Sequence, residues 1–120
     1  MSRLSEAAQS LIESAARHGG VLISAISVWE IAMLEARRRI ELTTGVLNWV
    51  RSSLAIPGRV LIPLTPEIAV ASTRLPDAPV GDPADLILLA TAIANNAILL
   101  TLDQKLLDYG RRQRLQIVSA

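Results

Sequence analysis

Four short apolar runs, at residues 21–26, 60–64, 97–102 and 115–118, lie between segments whose apolar residues recur every three to four positions. That alternation constrains the fold more than any other feature of the chain. A short run without polar alternation reads as a strand buried on both faces, the pattern of a parallel sheet, and a helix between successive strands supplies the crossover that parallel pairing requires. The expectation is an α/β domain of three layers, α/β/α, around a mostly parallel central sheet. At 120 residues and 51% hydrophobic content the chain is large enough for one core, so residues 1–120 read as a single domain. The longest membrane-like stretch, 86–102, is interrupted by Asn95 and Asn96 and bounded by Asp85 and Asp103. It falls short of the ~18 to 20 apolar residues of a transmembrane helix, so no membrane association is expected.

Local signals divide the chain further. Leu4, Ala7, Ala8, Leu11, Ile12 and Ala15 predict an amphipathic helix over 5–17, ended by Gly19 and Gly20. Ser27 and Glu30 are spaced as a capping box that opens a helix running to Arg37, Arg38 and Arg39. A third helix is expected over 43–55, stopped by Pro57 and Gly58, and a short one over 66–74. Pro63 demotes 60–64 to an edge strand or a strand end. After the turn-rich loop 76–81, Pro83 suits the first position of a helix. The strand at 97–102 is followed by a helix at 104–109 that Gly110 closes.

Three strand-to-helix junctions carry acids: Glu30, the pair Asp82 and Asp85, and Asp103. Each fits a helix cap, because acids are favoured at helix N-termini. In a parallel α/β sheet, however, every strand ends and every following helix begins on one rim, where these acids gather. A helix over 83–95 descends about 20 Å and a strand over 97–102 climbs about 20 Å, which returns Asp85 and Asp103 to one height. Carboxylates held together repel one another unless a divalent cation neutralises them, and an all-oxygen set favours Mg²⁺ or Mn²⁺ over zinc. The absence of cysteine excludes a disulfide framework, a zinc knuckle and a thiol nucleophile, and suits a reducing cytoplasm.

In their order and spacing these residues resemble a PIN-domain protein, specifically a VapC-type toxin ribonuclease of a bacterial toxin–antitoxin pair. The resemblance runs from Arg3-Leu4-Ser5 through Ser24, Ser27-Val28-Trp29-Glu30-Ile31-Ala32 and Arg39-Ile40-Glu41-Leu42. It continues in Asp82-Pro83-Ala84-Asp85, Leu99-Leu100-Thr101-Leu102-Asp103 and Tyr109-Gly110. It implies metal-dependent endonucleolytic cleavage of RNA, with Glu30, Asp85 and Asp103 as catalytic metal ligands and Asp82 as a helper. Ser27 and Thr101 would orient the cluster or its waters. It further implies a homodimer and a cognate antitoxin laid along the helices at 27–39 and 43–55. The chain departs from the family at Ala84, where an aromatic residue is usual, at Leu86, where a basic one is frequent, and before Asp82, which lacks a preceding basic residue. The family also begins with an apolar strand ending in a metal-binding Asp, and no such segment precedes the first helix here. The expectation is an N-terminally truncated domain with little activity of its own.

Other readings stay open. Arg37, Arg38 and Arg39 suit RNA phosphates, but also the negative end of a helix dipole. Trp29 and Trp49 suit packing or an interface better than base stacking, and His18 a solvated helix end. A catalytically dead remnant that binds an antitoxin or dimerises is the alternative to the nuclease. A phosphoacceptor receiver domain also gathers acids at strand ends, but it needs a lysine near its last strand, and the chain's one lysine, Lys105, stands just after Asp103.

Overall fold

A computed structural model describes residues 20–77, 82–101 and 103–119, together with Ser10, Glu13 and Ser14. The helix expected over 5–17 and His18 fall largely outside these residues; Ser10, Glu13 and Ser14 are helical. The chain divides into two compact units, one ending at Pro63 and one built from Leu64 onward.

In the unit that ends at Pro63, strand β1 (Val21–Ser24) leads into helix α1 (Ala25–Ala36), followed by helix α2 (Val46–Leu54) and strand β2 (Arg59–Ile62). β1 and β2 pair in parallel, with Val21 opposite Arg59 and Ser24 opposite Ile62. Gly20 enters β1 at φ 103°, a left-handed conformation that suits glycine. A Cβ there would also stand 3.1 Å from the Gly58 carbonyl oxygen. β1 is shorter than the apolar run suggests. Its last residue, Ser24, caps α1 by accepting from the Ile26 N–H at 3.2 Å, so the helix begins at Ala25, two residues before Ser27. The strand is not buried on both faces either, since Leu22 is 37% exposed. α2 buries Val50, whereas α1 is apolar over most of its surface and has no fully buried residue. A cleft of ≈ 420 Å³ opens between these helices and β1, lined by Ile23, Val28, Trp49 and Val50 among others.

The unit from Leu64 onward begins with helix α3 (Pro66–Ser72), which the Thr65 hydroxyl caps by accepting from the Ile68 N–H. Helix α4 (Pro83–Ala94) packs against it and leads to strand β3 (Leu99–Thr101), helix α5 (Gln104–Gln113) and strand β4 (Ile117–Ser119). β3 and β4 pair in parallel, with Leu99 opposite Ile117. Among the described residues the strands form two parallel pairs, β1 with β2 and β3 with β4. Pro63 follows β2 and interrupts no ladder. No helix among the described residues is long and apolar enough to cross a membrane.

Leu89, Leu106 and Tyr109 form the buried centre of this unit, with Leu75, Leu99, Leu115 and Ile117 packed around them. The Tyr109 hydroxyl donates to the Pro76 carbonyl at 2.6 Å, which satisfies the polar tip of a ring that is 1% exposed. Gly110 does not end α5. It lies buried inside the helix, which continues to Gln113 and is closed by Arg114 at φ 57°. The reason is packing, because a Cβ on Gly110 would stand 2.8 Å from Ile117 Cδ1 and 2.9 Å from its Cβ and Cγ1.

Gly110→Ala sets two effects against each other: alanine favours a helix interior by about 1 kcal/mol, while overpacking a filled site costs about 1–3 kcal/mol. Packing is expected to win, lowering the Tm in thermal unfolding by a few degrees. A raised Tm would show that α5 and β4 can move apart freely.

Candidate functional site

Asp82 and Asp103 hold equivalent places at the starts of α4 and α5. The Asp82 carboxylate accepts from the Ala84 N–H at 3.0 Å, and Asp103 accepts from the Lys105 N–H at 2.8 Å. Both are N-caps with extended backbones, the geometry that satisfies a donor left unpaired in the first turn. Pro83 at the first position of α4 loses nothing by lacking an N–H there. The Thr101 hydroxyl accepts from the Asp103 N–H at 3.1 Å and so ties the end of β3 to the cap that follows.

Asp85 stands in the first turn of α4, where the helix dipole favours a carboxylate. Its surroundings act the other way. Partial burial pushes its pKa up from the ordinary aspartate range, and the charges of Asp103 and then Asp82 push it further, while Lys105 pulls it down. Two acids and one lysine at the starts of α4 and α5 thus act on Asp85. Among the described residues, no group of three or more acidic or imidazole side chains is gathered closely enough to hold a metal ion.

Glu30 and Ser27 belong to the other unit and sit differently from the capping box that their spacing suggests. Because Ser24 takes the cap, Ser27 is the third residue of α1 and Glu30 the sixth, and no acid occupies the first turn. Glu30 therefore stands more than a turn inside the helix. Arg37 is the C-cap of α1, Arg38 follows in the left-handed conformation, and Arg39 is exposed, so the basic run follows the negative end of the helix dipole. Ser24 as a cap and Lys105 as a neighbour of Asp85 were the features harder to read. The available signals were a serine inside an apolar run and a lysine two residues after an acid.

A sequence profile of the PIN domain matches residues 1–112. Over 104 residues the chain is 39% identical to Ribonuclease VapC22 of Mycobacterium tuberculosis, an alignment covering 87% of this chain and 76% of that protein. Among solved structures, the crystal structure of VapBC2 from Rickettsia felis bound to a DNA fragment from their promoter is similar with a TM-score of 0.66. That match covers 96% of this chain and 86% of the other at 17% identity, which establishes likeness of fold.

The electrostatics of Asp85 give a sign that can be measured. A carboxyl with a raised folded-state pKa holds its proton more tightly folded than unfolded, so stability falls as pH rises from the ordinary aspartate range through the raised value. In metal-free buffer with chelator, Asp85→Asn is expected to raise the Tm at neutral pH. The gain should vanish in acid below the ordinary aspartate range, where Asp85 is protonated in both states. A Tm lowered at neutral pH would mean that the carboxylate contributes more to α4 than repulsion removes.

Proposed function

The chain belongs to the PIN-domain family, in its VapC-type branch, and from that premise we propose that it is a Mg²⁺- or Mn²⁺-dependent endoribonuclease, the toxin of a toxin–antitoxin pair. The observation that supports the reading is the placement of Asp82 and Asp85 at the start of α4 and of Asp103 at the start of α5, where the charges of Asp103 and Asp82 act on Asp85. The donors present are carboxylate and hydroxyl oxygens, which suit a hard cation. Magnesium is commonly held by one or two carboxylates and completed by water and substrate phosphate, so Asp85 and Asp103 are a sufficient protein share. Residues 1–120 are taken as one domain of this family.

In this reading Asp85 and Asp103 supply the direct ligands. A cap uses one carboxylate oxygen for the backbone and leaves the chemistry of the second to the ion. Asp82 positions the start of α4, and Thr101 orients the segment that carries Asp103. Glu30, as a ligand, and Ser27, as an orienting residue, are assigned on sequence grounds, as are phosphate contacts at Arg37, Arg38 and Arg39. A divalent cation, when bound, supplies a water of lowered pKa and charge for the phosphate oxygens during in-line attack. The protein then needs no nucleophile of its own; its acids hold and orient, and no side chain becomes covalently attached.

A second reading is a binding module that has lost catalysis, favoured by the absence of three converging acids among the described residues and by the apolar surface of α1. In both readings the cleft lined by Trp49 and Val50, with Trp29 49% exposed on α1, suits a homodimer contact or an antitoxin helix.

Glu30→Gln, Asp85→Asn and Asp103→Asn are each expected to reduce Mg²⁺-dependent RNA cleavage at least ~100-fold with the fold retained. Asp82→Ala should cost less activity and about 1 kcal/mol of stability through its lost cap. Saturable Mn²⁺ binding that Asp85→Asn weakens separates the nuclease from the binding module. Cleavage at the parental rate in all three ligand variants would dispose of the metal-site reading. Light scattering is expected to give twice the chain mass, shifting toward the monomer in Trp29→Ala. A strictly monomeric parent would remove the homodimer.

A further inference from the structure

We propose that the exposed face of α5 is a track for the backbone of single-stranded RNA, with Lys105 and Arg112 contacting successive parts of one strand. The proposal rests on the ribonuclease reading above and extends it to how the substrate is held.

Lys105 is the lysine of a chain whose other eleven cations are arginines. It occupies the second position of α5, the end at which the helix dipole disfavours a cation, so neither capping nor the dipole accounts for it. It is exposed, and its backbone N–H holds Asp103. Seven residues on, 20° short of two full turns, Arg112 lies on the same stripe about 10 Å further along the axis. The carboxylate of that face, Asp108, is already engaged: it accepts from the Gln104 amide at 2.8 Å and pairs with Arg111 at 3.5 Å.

The Arg112 guanidinium lies over the Tyr109 ring, 5.8 Å from its centroid. That ring is buried and fixed through its hydroxyl to Pro76, so the arginine rests on a rigid platform. Holding a guanidinium beforehand reduces the ordering cost of a phosphate contact and presents its planar fork to the phosphate oxygens. Arginines near a helix C-terminus are favoured by the dipole alone. The lysine at the opposite end is what turns an end effect into a line of positive charge, and that line begins beside Asp85 and Asp103. A strand laid along it would arrive at the acids with its phosphates already neutralised.

The test is fluorescence anisotropy of a fluorescein-labelled single-stranded RNA in chelator, using the full chain with Lys105→Gln, Arg112→Gln and the double variant. Arg51→Gln, on α2, is the charge control. Each α5 variant is expected to weaken RNA about fivefold at 0.1 M salt and to lower the log–log salt slope by about 0.7, the double variant by twice that. Arg112→Lys should keep most of the slope, which excludes a purely structural loss at Tyr109, and Mn²⁺ affinity should not fall in Lys105→Gln. If the double variant binds RNA with the parental affinity and slope, or if the parent binds no RNA, the track is wrong. It is equally wrong if the variants lose only an acidic peptide. A parent that cuts RNA while the double variant binds and cuts equally well overturns the track and leaves the ribonuclease reading standing. A parent that binds RNA through these residues but cuts none leaves the track and removes the nuclease.

Discussion

The hydrogen bonds from the Ala84 N–H to Asp82 and from the Lys105 N–H to Asp103 fix where α4 and α5 begin, and with them where Asp82, Asp85 and Asp103 stand. A helix start leaves donors without intrahelical partners, and an aspartate satisfies one of them while adding negative charge at the positive end of the dipole. Once the caps are set, Asp85 in the first turn of α4 feels the charge of both. Local backbone chemistry thus places the acids whose charges act on Asp85. The same carboxylates that stabilise the two helices are the ones that repel one another.

What offsets that repulsion is small and local. Lys105 lowers the pressure on Asp85, although a cation in the first turn of α5 works against the dipole. Asp85 itself is only partly buried, so water continues to screen the cluster. The surrounding unit is better satisfied: Leu89, Leu106 and Tyr109 are almost fully enclosed, and the one polar tip among them is hydrogen-bonded. Gly110 and Ile117 meet closely enough that one added carbon would not fit. A rigid packed unit carries a crowded acidic edge.

The strands and helices were legible wherever a hydrophobic period met a strong local signal. Pro83 with Asp82 marks the start of α4, and Pro63 marks the end of β2. Two errors share a cause, a local cue overridden by a neighbour outside its window. Ser27 and Glu30 have the spacing of a capping box, but Ser24 is placed by the end of the β1 ladder and takes the cap first. Gly110 has the composition of a helix stop, but its lack of a Cβ serves the approach of Ile117. The return of Asp85 toward Asp103 could be reasoned from the lengths of one helix and one strand. The pairing of strands two by two could not, because short apolar runs specify burial without naming a partner.

Conflict between levels is itself informative here. In the core around Tyr109, propensity, packing and hydrogen bonding agree, as they should where stability is the requirement. At the starts of α4 and α5 they disagree: an acid is partly buried among acids, and a lysine opens a helix. Neither choice is the most stable for its own helix, since an asparagine in place of Asp85 would relieve the repulsion and a neutral residue in place of Lys105 would suit the dipole better. Such departures concentrate where binding sets the residue types, and both lie at the starts of α4 and α5. A cation would relieve the first, and a phosphate beside it would relieve the second. In the proposed reading the two share one physical origin, a site whose charges would balance with an ion and a polyanion bound together.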